Sequence, residues 1–317
     1  MILVTGGTGC VGGHVVSDLN DSGVPVRLLV HEESPNVVPR PGVEIVVGDV
    51  RDARAIERAM TGCRTVVHIA GAAGLNATDG ARMRSINVGG TLVVAASARR
   101  HGAHMVHMSS ASAVGLVRDL LIDETCTAEL PRHPYPRSKR AGERAVLEEA
   151  ARGLSAVILN PGAVLATGGA AGNTWSGMAA AVRGGAFPLA PPGGFGFVSR
   201  QTLVAGVRAA VDGAGGTTAE RYLIVDENLS HRDLIERIAA RVGMRAPRGT
   251  APAALLGAAC AVGRVTGPSA GGLLHPDNLP FLTWRVTYDG SRARRVLGVP
   301  PTPIDHAIEE LTAQEAA

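Results

Sequence analysis

The distribution of apolar residues predicts strands alternating with helices through the first half of the chain. Short runs rich in Val, Ile and Leu are separated by longer amphipathic segments. The predicted strands are Ile2–Thr5, Pro25–Val30, Val43–Val47, Thr65–Ile69, His104–Met108 and Ser155–Asn160. The predicted helices between them are Cys10–Asp21, Ala53–Met60, Met83–Arg100 and Tyr135–Ala151. Nearly continuous apolar strands that alternate with helices indicate an α/β fold with a doubly wound parallel sheet.

The pattern is looser in the second half of the chain. Glycine and proline concentrate in Gly168–Gly172 and Pro188–Gly196, and one further strand is expected at Arg221–Val225. We therefore expect a sheet domain over residues 1–165, completed by the strand near 221–225. Residues 166–317 are expected to form mostly a small C-terminal lobe, interleaved with the sheet and covering the carboxyl ends of its strands.

Composition excludes several classes of protein. The net charge of +3 is too small for an electrostatic footprint on nucleic acid. The four cysteines, Cys10, Cys63, Cys126 and Cys260, show no C-x-x-C spacing, which indicates a reducing compartment. The apolar stretch Ala253–Val262 is about half as long as a membrane span, and we expect no signal peptide, because Met1–Val4 already has the pattern of a strand. We expect a cytoplasmic protein with a small-molecule substrate and neither a nucleic-acid nor a membrane partner.

The glycine turn after the first strand is the first chemical signal. Gly6, Gly9 and Gly12 have the G-x-x-G-x-x-G spacing between a strand and a helix. This arrangement lets the backbone approach a pyrophosphate, which the helix N-terminus attracts. The sequence thus predicts a dinucleotide-binding Rossmann domain over residues 1–165 and a substrate-binding lobe beyond it. The candidate phosphate contacts are Gly6, Thr8, Gly9, Cys10, Val11 and Gly12.

The ends of the second and third strands bear on the adenosine half of the cofactor. Glu32 and Glu33 would repel a ribose 2′-phosphate, whereas His31 would attract one when protonated. The sequence therefore predicts NAD or NADP, with NAD slightly favoured. Asp49, followed by Val50, is placed to accept from the adenine amino group; a turn residue capping the next helix is the alternative.

A tyrosine and a lysine stand four residues apart at the start of a predicted helix. Tyr135 and Lys139 therefore project from one face. Lys139 is the only lysine among 31 basic residues. A nearby ammonium lowers the pKa of a phenol, which suits it to general acid–base work. Ser110, after the strand His104–Met108, is the candidate hydroxyl that binds the substrate oxygen, with Ser112 lining the pocket.

These motifs together resemble a known enzyme superfamily. They are Gly6–Gly12, Gly48-Asp49, His68–Gly71, Asn87–Thr91, Ser109-Ser110, Tyr135–Lys139 and Asn160–Val164. In this order, over residues 1 to about 165, they resemble an extended short-chain dehydrogenase/reductase of the NAD-dependent epimerase/dehydratase family. The similarity is greatest to the branch of dihydroflavonol reductases and 3β-hydroxysteroid dehydrogenases.

The resemblance implies a Ser–Tyr–Lys mechanism. Tyr135 would pass a proton to or from the substrate oxygen, Lys139 would lower the tyrosine pKa and hold the nicotinamide ribose, and Ser110 would polarise the carbonyl. It also implies a homodimer through the helices Met83–Arg100 and Tyr135–Ala151. The further cofactor contacts that it implies are Ala70, Gly71, Ala72, Asn87, Pro161, Gly162 and Val164.

Two departures from the family pattern bear on the substrate. The family often carries a V-H-V-D-D-like segment where this chain has Val198–Leu203, without the histidine and the acids. Nucleotide-sugar enzymes of the family usually place an arginine just before it, where this chain has Gly194–Phe197. Both departures argue against a sugar-nucleotide substrate.

Aromatic residues are scarce and grouped. The chain has 2 Trp, 3 Tyr and 4 Phe, most of them within Trp175–Phe197 and Phe281–Tyr288. We expect the first group, with Met178, to line an apolar substrate pocket; the candidates are Trp175, Met178 and Phe187, and ordinary core is the alternative. His101, His104 and His107 predict no metal site, because strand residues 104 and 107 point to opposite faces.

The favoured function is an NAD(P)-dependent oxidoreductase, a ketoreductase or alcohol dehydrogenase, acting on a small, mostly apolar ketone or secondary alcohol. An epimerase or dehydratase that works through a transient ketone is the first alternative. A cofactor-sensing protein without catalysis is the second, but it would not need Ser110, Tyr135 and Lys139 together.

Overall fold

The computed structural model describes residues 1–31, 41–74, 79–168, 177–265 and 275–314. Its strands are β1 Ile2–Thr5, β2 Val26–Val30, β3 Val43–Val47, β4 Thr65–His68, β5 His104–Met108, β6 Leu121–Ile122, β7 Ala156–Pro161, β8 Ala163–Leu165, β9 Gly194–Ser199, β10 Thr218–Ile224, β11 Glu227–Ser230 and β12 Thr287–Tyr288. Its helices are α1 Cys10–Asp21, α2 Ala53–Met60, α3 Gly80–Arg84, α4 Thr91–Arg100, α5 Ala111–Val114, α6 Pro134–Ala150, α7 Met178–Arg183, α8 Arg200–Val211, α9 His231–Arg241, α10 Ala253–Val265, α11 Leu279–Thr283, α12 Ser291–Leu297 and α13 Ile304–Gln314.

The predicted doubly wound parallel sheet is confirmed. Seven strands lie in the order β10-β7-β5-β4-β1-β2-β3, and all their pairings are parallel. The chain leaves β1 toward β2 and β3, then returns to the other side of β1 at β4. Ligands bind at such a switch point, outside the carboxyl ends of the strands. Here it brings the turn after Thr5 beside the segment after His68.

The predicted helix Met83–Arg100 contains a wider turn that the sequence pattern did not indicate. A π-helical segment, Ser85–Gly90, joins α3 to α4. Such turns are frequent at functional sites. Gly142 of α6 lies against this segment, and a Cβ at that glycine would come 2.4 Å from the Asn87 carbonyl oxygen. The close approach of α6 fixes Asn87 at the end of the sheet.

The second half of the chain builds a lobe beyond these strand ends. A three-stranded sheet, β11-β9-β8, and the pair β12-β6 carry its aromatic residues Phe195, Phe197 and Tyr288 into a core of their own. Among the described residues, the hydrophobic clusters on the two faces of the large sheet contain one Phe, Tyr or Trp residue, Tyr222. Within the described ranges, no helix has the length and apolar character needed to cross a bilayer.

Candidate active site

In the turn between β1 and α1, neighbouring backbone lies so close to two positions that only glycine fits there. Gly6 has φ +76°, and a Cβ there would lie 2.4 Å from the backbone nitrogen of Ala70. A Cβ at Gly12 would lie 2.1 Å from the Gly6 carbonyl oxygen. Gly9 precedes α1, and no side chain caps the helix in the described part of the chain. The turn fits a pyrophosphate, which the N–H groups of an uncapped helix bind.

The neighbours of this turn hold the next part of the cleft. The Asn87 side chain accepts from the Ala72 N–H (2.7 Å) and donates to the Ala72 carbonyl (2.9 Å), which fixes the chain after β4. A Cβ at Gly71 would lie 3.0 Å from both Asn87 Oδ1 and Lys139 Nζ. The missing side chain at Gly71 lets the chain after β4 pass close to the ammonium, and Gly71 and Lys139 both line the cavity.

At the adenosine end, the carboxylate of Asp49 already has a partner. Arg51 donates to it from Nε (2.9 Å) and from its backbone N–H (2.8 Å), and these contacts lower the pKa of Asp49 to about 2. His31 Nε2 lies 3.5 Å away. The cap of α2 is Asp52, so Asp49 is a turn residue without being a helix cap. No motif in the sequence indicated a role for Arg51.

The remaining cofactor candidates also lie around this cleft. Cys10 Sγ is 3.5 Å from the Thr167 carbonyl oxygen, Thr8 is half-buried in the glycine turn, and Val50 packs against Gly90. Glu32 and Glu33 fall outside the described residues. The roles of all these positions toward a cofactor stay predictions.

Ser110, Tyr135 and Lys139 converge at the floor of one cavity. Ser110 follows β5 and caps the short helix α5, and its Oγ lies 2.9 Å from Ser112 Oγ. Tyr135 lies in the first turn of α6, whose cap is His133. Lys139 is buried one turn later and donates to the Met108 carbonyl oxygen (2.9 Å).

Burial dominates the protonation of these groups. It raises the pKa of Tyr135, against which the Ser110 hydrogen bond acts. It lowers the pKa of Lys139 to about 8, against which the Glu143 carboxylate acts. Desolvation is the largest influence on the phenol and its net effect is upward, so the expectation that Lys139 lowers the tyrosine pKa stays a prediction.

A hydrogen-bond network centred on His68 lies beneath the cleft. Thr91 Oγ1 donates to the Asn87 carbonyl (2.8 Å), so it accepts from Nε2 of His68 (3.1 Å). Nδ1 of the same ring then accepts from the Thr5 hydroxyl (2.7 Å). Burial lowers the pKa of His68 to about 3, so this histidine is neutral and its tautomer is fixed. The network ties the carboxyl ends of β1 and β4 to Asn87.

The cavity above the catalytic groups has a volume of about 510 Å³ and mostly apolar walls. Of the residues predicted from sequence, its lining includes Val11, Gly71, Ser112, Pro161, Gly162, Val164, Met178 and Phe187. Trp175 lies outside the described residues. The expectation that Phe197 belongs to the pocket is wrong, because its side chain is fully buried in the lobe core.

Sequence reasoning missed part of the opposite wall. Phe281 and Leu282 of α11 line it, together with His231 and Ile235 of α9. Membership of the second aromatic group was the only sequence signal for Phe281. Arg200, at the start of α8, is paired with Glu310 at 2.7 Å. No group of three or more His, Cys, Asp or Glu residues in the described ranges is placed to hold a metal ion.

Comparisons with known proteins fit this geometry. The model of the NAD dependent epimerase/dehydratase family matches residues 2–194. The chain is 30% identical to sterol demethylase protein B of Methylococcus capsulatus over 98% of this chain and 97% of that protein. It is 34% identical to a 4-hydroxy-2-methyl-3-oxo-4-farnesyl-3,4-dihydroquinoline-1-oxide ketoreductase of Stigmatella aurantiaca over 50% of this chain and 48% of that one. The crystal structure of gox2253 superposes with a TM-score of 0.86 at 25% identity, covering 99% of this chain and 97% of that one.

Proposed function

Because the chain belongs to the NAD-dependent epimerase/dehydratase family, we propose that it transfers hydride between a nicotinamide cofactor and a mostly apolar ketone or secondary alcohol. Family membership makes it an NAD-dependent enzyme; the reaction and the substrate are our assignment. The cavity carries this assignment. Ser110 and Tyr135 line a cavity whose other walls are mostly apolar. Among the described residues that line it, Lys139 is the only charged side chain.

The walls favour an organic ketone over a sugar nucleotide. Arginine is the favoured side-chain partner for the phosphates of a sugar nucleotide, and the described lining contains no arginine. Burial lowers the pKa of His231, so this residue adds no positive charge at neutral pH. The relatives named for a sterol and for a farnesyl-bearing ketone support the same class of substrate.

The proposed mechanism assigns one task to each catalytic side chain. When bound, the nicotinamide supplies or accepts the hydride. The Ser110 hydroxyl donates to the substrate oxygen, and the Tyr135 phenol gives that oxygen a proton in reduction or takes one in oxidation. Lys139, with a pKa of about 8, carries a positive charge at neutral pH and stabilises negative charge that develops at the phenol and the substrate oxygen.

NAD is the proposed cofactor over NADP. The Asp49 carboxylate is anionic, with a pKa of about 2, and would repel a 2′-phosphate nearby. The Arg51 guanidinium is committed to that carboxylate at 2.9 Å, so it is not available to bind the phosphate. The family's dependence on NAD agrees with this choice.

Tyr135→Phe tests the assignment. We expect kcat with an apolar ketone and NADH to fall by about 10²–10⁴-fold, since the proton donor is lost, while the Kd for NADH from isothermal titration stays within about threefold. Tyr222→Phe is the matched control, because its hydroxyl donates to the Gly215 carbonyl oxygen away from the cavity. Near-normal turnover by Tyr135→Phe would contradict the proton-transfer role.

The same titration separates the alternatives. Free exchange of NADH, with consumption of the cofactor when a ketone is added, supports the reductase. NAD that stays bound through purification, with no net change in cofactor when substrate turns over, would indicate an epimerase or dehydratase. Cofactor binding without turnover of any member of a broad ketone and alcohol panel would support a cofactor sensor.

A further inference from the structure

A buried carboxylate lies on α6 one turn beyond Lys139. Tyr135, Lys139 and Glu143 follow at intervals of four residues and therefore share one face of the helix. Glu143 is completely buried, and neither the glycine turn nor the Ser–Tyr–Lys set accounts for it. A buried carboxylate is costly unless hydrogen bonds and an opposite charge compensate it, so its partners indicate why it is there.

One oxygen of Glu143 holds the catalytic serine loop. Oε1 accepts from the Ser109 hydroxyl (2.5 Å) and from Nδ2 of Asn160 (2.6 Å). The same amide nitrogen of Asn160 donates to the carbonyl oxygen of Ser110 (3.0 Å). The carboxylate thus fixes the side chain of Ser109 directly and the backbone of Ser110 through Asn160.

The other oxygen of Glu143 faces the edge strand of the sheet. Oε2 lies 2.8 Å from a guanidinium nitrogen of Arg221 on β10, in an ion pair without hydrogen-bond angles. Arg221 is itself largely buried, with 23% of its side chain exposed. The ion pair connects α6 and the serine loop to β10, so the loop is held between a helix and a strand.

The same carboxylate is the negative charge that acts on Lys139. The other titratable groups around the ammonium are Tyr135 on its own helix, His68 on β4 and His107 on β5. Both histidines are neutral, because burial lowers their pKa values. The charge of Glu143 opposes the loss of the lysine proton that burial favours.

We propose that Glu143 is a positioning residue that locks the Ser109–Ser110 loop and keeps the Lys139 ammonium charged in its buried site. The inference rests on the proposed function, in which these residues perform the proton transfer. Glu143 does this without touching the substrate: it sets the geometry of the hydroxyl donor and the electrostatic field at the acid–base pair.

The single lysine of the chain allows a direct measurement. In protein labelled with [ε-¹³C]lysine, one side-chain NMR signal reports the ionisation of Lys139. In Glu143→Gln, we expect its pKa to fall by about one unit, because an anion that favours the charged form is removed. The alkaline limb of kcat/KM for ketone reduction should move to lower pH by the same amount, since removing a negative charge lowers the pKa of both the ammonium and the phenol.

Glu149→Gln is the matched control. Glu149 is also buried on α6, but its partners are Arg99 (2.6 Å) and Arg152 (2.8 Å) instead of the serine loop. This variant should lose stability and leave both the lysine titration and the pH profile unchanged. A purely structural Glu143 would behave in the same way, so equal pH behaviour of the two variants would overturn the inference.

Two more variants separate geometry from charge. Glu143→Asp keeps the negative charge but moves the carboxylate oxygens away from Ser109 and Asn160. We expect kcat to fall at least tenfold while the pKa of Lys139 stays within about 0.3 of the wild-type value. An unchanged kcat would overturn the positioning role. If Glu143→Gln does not fold, Glu143→Gln combined with Arg221→Gln removes the unpaired buried cation. A fall in the Lys139 pKa is expected there as well, because Glu143 is the negative charge that favours the ammonium.

The NMR titration distinguishes failure of this inference from failure of the proposed function. It needs no substrate, so an unchanged Lys139 signal in Glu143→Gln overturns the inference whatever the reaction is. A shifted signal together with full activity of Tyr135→Phe would instead retain the electrostatic role of Glu143 and overturn the proposed proton transfer.

Discussion

His107 lies in β5 beside His68 of β4, and their rings stack at a centroid distance of 5.5 Å. Neither ring nitrogen of His107 has a hydrogen-bond partner within the described part of the chain. Burial lowers the pKa of His107 well below its usual value of about 6.5. The unfolded chain therefore binds a proton below pH 6.5 that the folded chain does not, so stability falls as the pH decreases through this range.

We expect His107→Leu to reduce this acid sensitivity. One fewer proton is taken up on unfolding, so the unfolding free energy should fall less steeply between pH 6.5 and 4, by about 1.4 kcal/mol per pH unit. Urea titrations at several pH values measure the slope. The exposed His306 provides the control variant His306→Gln, which should keep the wild-type slope. An unchanged slope in His107→Leu would show that this histidine is not buried in the neutral form.

At the scale of elements, two reasons for glycine in the turn between β1 and α1 can be tested separately: its positive φ and its close approach to neighbouring backbone. Gly6 and Gly23 both have positive φ, +76° and +72°, but only Gly6 has a neighbouring backbone within 4 Å. An alanine at either position is strained, whereas only at Gly6 does its Cβ also collide with Ala70. The difference between the two alanine variants therefore measures the effect of packing the glycine turn against the segment after β4.

Gly23→Ala should lose about 1 kcal/mol of unfolding free energy and keep its Kd for NADH. Gly6→Ala should lose more stability and weaken NADH binding at least tenfold, because the turn must move away from β4 and reshape the phosphate site. Chemical denaturation and isothermal titration measure the two effects. Equal NADH affinity in both variants would contradict the placement of the cofactor at this turn.

Element boundaries in the first half of the chain were predictable because they follow from local patterns. The helices Cys10–Asp21 and Ala53–Met60 occur with the predicted bounds, since apolar periodicity is interrupted there by glycine and polar turns. The π-helical segment Ser85–Gly90 was not predictable. It packs against Gly142, whose Cβ would come 2.4 Å from the Asn87 carbonyl oxygen, and this neighbour belongs to another helix far along the chain.

At the scale of the whole molecule, we propose a homodimer through α4 and α6. These helices pack against each other and leave Leu92 and Leu147 exposed by 44% and 40%. Two large apolar side chains on neighbouring helices suit a hydrophobic interface.

Leu92→Arg combined with Leu147→Arg should convert a dimer to a monomer, because burying the two arginines opposes association. Light scattering coupled to size-exclusion chromatography gives the mass. Leu255 on α10 is exposed by 57%, and Leu255→Arg should leave the dimer intact. A wild-type monomer at micromolar concentration, or a dimer that survives the double substitution, would contradict the proposal.

Tertiary structure also decided the composition of the cavity. Sequence pattern pointed to Met178 and Phe187, which line it, and to Phe197, which does not. Phe197 lies on β9, which pairs with β8 and β11 in the lobe sheet and carries this side chain into the lobe core, and no local pattern specifies that pairing. Phe281 and His231 reach the wall from two separate helices, and only the packing of the lobe reveals this.

The sequence by itself determined the parallel sheet, the glycine turn and the shared helix face of Tyr135 and Lys139, because strand patterning, positive φ and helical spacing are local properties. Only the tertiary structure decided the protonation of the buried groups and the partners of Glu143. Burial made the phenol a weaker acid than the Tyr135–Lys139 spacing indicated. The carboxylate contacts Ser109, Asn160 and Arg221, which lie on separate elements that meet only when the sheet has formed. Desolvation and long-range pairing depend on the packed molecule, and these two effects set the chemistry of the site.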